Sequence, residues 1–268
     1  MPVAYVHGYQ EREGERLRDQ AAALTELLHT GTSYDAGSLV LEAGCAVGAQ
    51  TIPLATRSPG ARFLSLDLAP GSVALARRAV ADAGITNVGF SVADIYELPL
   101  QAQSFDHIFV CFVLEHLARP AEALARLRSL LKPGGTITVI EGDHGSAYFH
   151  PDSAAARDAI QCLVTLQQRS GGDSLIGRRL YPLLTTAGFR AVEVSPRMAY
   201  VDGSSPELAD AITLRTFTAM IEGTRLAAVA AGLRTPAEFE AGVRDLRRAA
   251  EPDGTFCYTF FKATAIAP

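Results

Sequence analysis

The chain has 268 residues, enough for one α/β domain with a full core, or for such a domain with an insertion. Its net charge is −5, and no lysine- or arginine-rich stripe runs along it, which argues against a nucleic-acid binder. The four cysteines (Cys45, Cys111, Cys162, Cys257) are scattered with no CxxC pair, so they read as buried reduced thiols. The N-terminus lacks the basic-then-apolar pattern of a secretory leader. No apolar run approaches the ~20 residues that span a bilayer, so no membrane association is expected and the expected location is cytoplasmic.

In chain order, Leu17, Ala21, Leu24 and Leu28 share one helical face and predict a helix over 15–29, ended by Gly31. Strand 39–42 then leads through a glycine turn to a helix over 49–56. Strand 62–66 ends at Asp67, and Pro70 opens a helix reaching Ala83. Strand 88–92 ends at Asp94. Strand 105–111 precedes a helix over 120–131. The tight turn Lys132-Pro133-Gly134-Gly135 leads into strand 136–141. This alternation predicts a parallel sheet with helices on both faces. Beyond residue 142 the rhythm loosens into helices over 153–169 and 177–187 and a strand over 190–200. Residues 206–250 read as a helical insertion before the last strand, 255–264, which is rich in β-prone aromatics. There is no internal repeat and no linker, so 1–268 is expected to be one domain, with 1–35 an N-terminal lid and helix and 206–250 a helical cap.

The segment Leu39-Val40-Leu41-Glu42-Ala43-Gly44-Cys45-Ala46-Val47-Gly48 runs from an apolar strand into a glycine turn. Such a turn lets a ligand approach the backbone and aims free N–H groups at it. A dinucleotide site wants G-x-G-x-x-G, but alanines stand at 46 and 49, which argues against NAD. The looser G-x-x-x-G spacing suits S-adenosylmethionine, which has no pyrophosphate. Asp67 ends the second strand, where an acid can receive the ribose hydroxyls. Asp94 ends the third, where it can receive the adenine amino group. Taken singly, each acid is equally readable as a strand end or helix cap. Glu42 reads either as an acceptor for backbone amides of the turn, near the cofactor's cationic end, or as a structural clamp. Gln50, in the first turn of the next helix, is a candidate for the cofactor's carboxylate.

The 41–48 turn, Asp67, Ala93-Asp94-Ile95, the stretch from Ser104-Phe105-Asp106 to Leu114-Glu115-His116-Leu117, and Leu131-Lys132-Pro133-Gly134-Gly135 together resemble class I S-adenosylmethionine-dependent methyltransferases. The resemblance implies a Rossmann-like sheet of seven mostly parallel strands, the last antiparallel. It implies that Gly44, Ala46 and Gly48 form the loop around the cofactor's amino-acid part, that Asp67 and the adjoining Leu68 hold the ribose side, and that Asp94 and Ile95 hold the adenine. It further implies that Phe112 lines the methionine side and that Tyr9 closes over the cofactor. Ala46 departs from the family's usual glycine. Pro53 is tolerable only in the first turn of its helix.

The acceptor side is less explicit. No cluster of His, Asp and Glu has metal-ligand spacing, so no metal is expected. The stretch 141–150 follows the fifth strand and belongs beside the transferred methyl group. His144 is the best base candidate there, since its ordinary pKa is near neutral, and a backbone-bonded loop histidine is the alternative. Glu141 is placed either to orient that base or to face a developing cation, or else to end the strand. His116, Tyr148, Tyr5 and His7 complete the candidate acceptor contacts, and Phe112, Tyr148 and Phe149 the expected aromatic walls. Residues 5–9, 109–117, 140–145 and 256–262 look like bacterial indole C3-methyltransferases of indole alkaloid pathways. That resemblance implies a small aromatic acceptor, attack by indole C3, loss of the N1 proton to His144 or a nearby tyrosine, and closure to a pyrroloindoline. O- or N-methylation of another small molecule, and a non-catalytic cofactor-binding protein, share every cofactor residue. The sequence leaves a homodimer open.

Overall fold

In the computed structural model, the described residues are 24–268. The expected site residues Tyr5, His7 and Tyr9 lie outside them, as does most of the expected lid. The first described helix, α1, occupies 24–29. The chain continues as β1 (Leu39–Ala43), α2 (Thr51–Arg57), β2 (Arg62–Asp67), α3 (Pro70–Asp82), β3 (Val88–Val92), β4 (Phe105–Cys111), α4 (Pro120–Leu130) and β5 (Leu131–Gly142). Then follow β6 (Tyr148–His150), α5 (Ala154–Arg169), α6 (Leu180–Thr186) and β7 (Arg190–Asp202). The cap comprises α7 (Pro206–Leu208), a π-helical stretch Ala209–Thr218, α8 (Ala219–Gly223), α9 (Arg225–Ala230) and α10 (Pro236–Arg248), and β8 (Thr255–Ile266) follows it.

The sheet runs β3-β2-β1-β4-β5-β8, with β7 on the far side of β8. The first five strands pair in parallel, and β8 is antiparallel to β5, β6 and β7. The sheet thus has one strand more than the expected seven. Three residues inside the expected 141–150 loop form β6, because Tyr148, Phe149 and His150 pair with Cys257, Phe256 and Thr255 beyond the end of β5. The expected turn at 132–135 is absorbed into β5 as a register shift opposite β4.

Strand alternation separates two cores. Val40, Phe109, Ile140, Phe256, Tyr258 and Phe260 point to the face covered by α1, α5 and the cap. Leu41, Ala43, Ile108, Val110, Ile137 and Val139 point to the face covered by α4 and α6. Lys262 is buried on the α1 face, and its Nζ donates to Thr30 O, 2.8 Å away, tying the end of α1 to β8. Burial lowers its pKa to about 8. The cap is anchored by α10, whose capping box joins Thr235 and Glu238 and whose Phe239, Val243 and Leu246 are buried. Its π-helical stretch buries Ile212 and Phe217. Among the described residues, no helix is long and apolar enough to cross a membrane.

Candidate active site

Sheet order reverses between β1 and β4, the usual place for a ligand crevice in an open α/β sheet. At the end of β1, Gly44 takes φ +84° and Gly48 +83°. A Cβ on Gly44 would lie 2.3 Å from Val113 Cγ2, so glycine is required there by both conformation and space. Ala46 takes φ +44°, the left-handed region its missing glycine would enter freely. Phe112, at the end of the neighbouring β4, is also left-handed at +56°. Two strained non-glycine residues thus flank the crevice.

Asp67 organises this wall. Its Oδ2 accepts the Ala46 N–H and its Oδ1 the Ala69 N–H, each at 2.9 Å. A carboxylate offers about four acceptor sites, so both oxygens keep capacity for ribose hydroxyls. Leu68 beside it is 50% exposed, an apolar surface at the crevice edge. Asp94 accepts the Tyr96 N–H at 2.9 Å, and Ile95 is buried behind it.

Two expectations are corrected here. Glu42 accepts no amide of the turn in these contacts: its Oε2 takes the hydroxyls of Thr51 (2.7 Å) and Ser65 (2.6 Å). Ser65 is its register partner in β2, which brings that hydroxyl to it. Glu42 Oε1 is buried with no hydrogen-bond partner among the described residues. Burial, with a smaller push from Asp67, raises the Glu42 pKa to about 7 against the pull of the two hydroxyls. Gln50 is engaged elsewhere. Its Oε1 lies 2.6 Å from His29 Nε2 in α1, so the amide joins α2 to α1.

The opposite wall comes from the exits of β4 and β5. Glu141 is fully buried, and its Oε1 accepts the N–H groups of Val113 (3.0 Å) and Leu114 (2.7 Å). It clamps the chain leaving β4. The carboxylate beside His144 is that of Glu115, whose Oε2 lies 3.6 Å from His144 Nε2. Orientation of the imidazole therefore falls to Glu115 rather than Glu141. Burial, then the Glu115 charge, holds Glu141 well above the ordinary carboxylate range.

His144 is buried, and its Nδ1 lies 2.6 Å from the Tyr258 hydroxyl. Its main-chain N–H donates to Ser174 O at 2.9 Å. Asp143 is gripped by Arg178 through two hydrogen bonds of 2.6 and 2.7 Å, which fixes the loop carrying the imidazole. His116 borders the same cluster, with Nε2 3.5 Å from Glu115 Oε1. Gln167 of α5 donates to Glu115 Oε2 at 3.2 Å. Tyr148 departs from its expected place: it is 71% exposed on β6. The aromatic rings near His144 are instead Tyr258 and Phe217.

Glu115 and Tyr258 are the residues sequence reasoning passed over. Glu115 lies in the stretch Val113-Leu114-Glu115-His116-Leu117, and a carboxylate in a largely apolar run is a signal that it needs a buried partner. Tyr258 shares a strand face with Phe256 and Phe260, and a phenol in such a row must find a partner for its hydroxyl. Among the described residues, no group of three or more His, Cys, Asp or Glu is arranged to hold a metal.

Comparison with known proteins agrees with this geometry. Residues 40–135 match the family model described as a methyltransferase domain. An uncharacterised 37.1 kDa protein from a Streptomyces fradiae transposon is 34% identical over 162 residues, 60% of this chain and 46% of that protein. The demethylmenaquinone methyltransferase of Thermus thermophilus is 33% identical over 102 residues, 38% of this chain and 46% of that enzyme. The chain spans less than half the length of these curated relatives. Among solved structures, Haemonchus contortus phosphoethanolamine N-methyltransferase 2 with S-adenosyl-L-methionine aligns with a TM-score of 0.58 at 17% identity, covering 93% of this chain and 52% of that one. That likeness concerns the fold. Residues 40–135, which carry the glycine turn, Asp67 and Asp94, are thus similar to a methyltransferase domain.

Proposed function

We propose that this chain methylates a small aromatic molecule, with the C3 of an indole in a tryptophan-derived alkaloid or diketopiperazine as the favoured acceptor and a pyrroloindoline as product. One observation carries this reading: a run of packed rings links Phe112, just past β4, to β8 and the cap. Phe112 lies 5.7 Å from Phe260, Phe260 4.7 Å from Tyr258, Tyr258 5.4 Å from Phe217, and Phe217 4.8 Å from Phe256. Such a run favours a planar acceptor. The Glu115 carboxylate near it favours an acceptor that becomes positive as it is alkylated.

Bound S-adenosylmethionine supplies an electrophilic methyl on a sulfonium. The Gly44–Gly48 turn, Asp67 and Leu68, and Asp94 and Ile95 would hold its amino-acid, ribose and adenine parts. The remaining tasks fall to this chain's side chains, which align the acceptor, exclude water and remove a proton. The reading is tested by incubating the protein with S-adenosylmethionine and a panel of tryptamines and cyclodipeptides, followed by mass spectrometry. A product methylated on C3 is expected, and its absence across the panel rejects the indole reading. The His144→Ala variant is expected to bind cofactor normally and to turn over about 100-fold more slowly.

A second reading is methyl transfer to oxygen or carbon of a quinol-like ring, which draws support from the demethylmenaquinone methyltransferase among the relatives. Phenol and quinol acceptors in the same panel decide between the two. Tight cofactor binding with no turnover on any acceptor would instead favour a non-catalytic role.

A further inference from the structure

One imidazole on the acceptor side sits between two oxygen acids. His144 is 6% exposed, with Nδ1 2.6 Å from the Tyr258 hydroxyl and Nε2 3.6 Å from Glu115 Oε2. The Glu115 carboxylate beside Nε2 can only accept a hydrogen, which leaves Nδ1 to accept that of the Tyr258 hydroxyl. The network therefore assigns the neutral tautomer, with hydrogen on Nε2 facing Glu115. Glu115 is held in turn by Gln167, which donates to its carboxylate and, at 3.1 Å, to its main-chain oxygen. A Cβ on Gly142 would fall 2.4 Å from the Tyr258 hydroxyl, so the glycine leaves the room that oxygen occupies.

We propose that Glu115, His144 and Tyr258 form one proton relay, in which Tyr258 meets the acceptor and Glu115 is a positioning residue that stabilises the imidazolium. The inference rests on the methyl-transfer reading above. As the methylated acceptor gives up its N–H or O–H proton, the bonding pair stays on that nitrogen or oxygen. The Tyr258 oxygen takes the proton while its own hydrogen passes to His144 Nδ1. The imidazolium that results lies beside the Glu115 carboxylate. No bond to the protein forms, and no oxidant or reductant takes part. The arrangement parallels an acid–histidine–hydroxyl triad, with a phenol as the hydroxyl. Burial, followed by the Glu115 and Asp143 charges, keeps the phenol well above its ordinary pKa, so its hydroxyl passes protons without standing as phenolate.

Among the described residues, the charged and titratable groups around the ring include Glu115 and His116 after β4, Glu141 and Asp143 at the end of β5, Arg178 on Asp143, and Tyr258 on β8. The π-helical stretch presents Phe217, which does not titrate. The test uses the whole chain. The His144 side chain is followed by nitrogen-detected NMR between about pH 5 and 9. Glu115→Gln is expected to lower the His144 pKa by about one unit or more, and Glu115→Asp to restore part of that shift. An unmoved His144 titration in Glu115→Gln overturns the relay. In a second arm, Tyr258→Phe keeps the ring and is expected to lower kcat about 100-fold with cofactor affinity unchanged. Full turnover by Tyr258→Phe also overturns it. Should the wild-type chain bind S-adenosylmethionine yet methylate no acceptor, the functional reading fails, and the NMR arm still decides the relay.

Discussion

The cofactor-side wall of the cleft, at the ends of β1, β2 and β3, is made largely of main chain, whereas the acceptor-side wall beyond β4 and β5 is made of side chains brought from distant parts of the sequence. Gly44, Ala46 and Gly48 act through conformation, and Asp67 accepts the N–H groups of Ala46 and Ala69. Glu115, His144, Gln167 and Tyr258 act through functional groups on four different elements. Under the proposed function, the first wall would hold the cofactor and the second would select the acceptor. The first wall tolerates little substitution, and the second can be rebuilt residue by residue.

The largest effect that tests this contrast is expected at Gly44. Gly44→Ala combines a left-handed backbone with a Cβ 2.3 Å from Val113 Cγ2. Overpacking and conformational strain together should cost about 3–4 kcal/mol. Urea denaturation checks this, and Val113→Ala in the same chain should recover much of the loss. Failure of that rescue would show that backbone conformation alone fixes the glycine.

Next comes Glu42, buried behind the turn and joined to β2 and α2 through the Ser65 and Thr51 hydroxyls. Its pKa is about 7 when folded and near the ordinary carboxylate value when unfolded, so the folded state holds the extra proton between those values. Stability should therefore fall as pH rises from about 4.5 to 7, by about 3 kcal/mol. Glu42→Gln should flatten that slope in thermal melts taken across the range. A melt profile unchanged by the substitution would mean Glu42 is ionised without penalty.

Asp67→Asn should weaken S-adenosylmethionine binding by about 2 kcal/mol, roughly 30-fold, because an amide oxygen offers fewer acceptor sites and no charge to the ribose. Titration calorimetry reads this directly. An unchanged affinity would remove Asp67 from the ligand contacts and leave it a clamp on Ala46 and Ala69.

The same contrast governs how much could be read from the sequence. The cofactor wall is contiguous in the chain, so the run 39–48, the acids at 67 and 94 and the boundaries of β2, β3 and β4 are legible from local pattern. The acceptor wall depends on pairings across the chain. His144 and Tyr258 are 114 residues apart, and nothing local to either announces the other. Strand β6 exists only because 148–150 find 255–257. Gln50 has the right position for the cofactor but is held by His29 from α1, a contact no spacing rule contains. Tyr148 follows the loop as expected and then turns outward, because strand alternation on β6 decides its side.

The smallest effect concerns Ala46, where the methyltransferases that the sequence resembles usually carry glycine. At φ +44° an alanine carries about 1–2 kcal/mol of strain that glycine would not. Glycine gives back part of that gain through its larger freedom when unfolded, about 0.5–1 kcal/mol. Ala46→Gly should therefore raise stability by about 0.5 kcal/mol, with the Ala46 N–H still available to Asp67. A careful comparison of melting temperatures, with and without S-adenosylmethionine, is the measurement. If glycine stabilises the protein alone but weakens the cofactor's added stabilisation, the alanine fixes the turn in its binding conformation before the ligand arrives. Its strain would then serve the rigidity that distinguishes this wall from the other. If both values rise together, the methyl group at position 46 contributes nothing to that rigidity, and the main-chain wall is held by Asp67 and Gly44 without it.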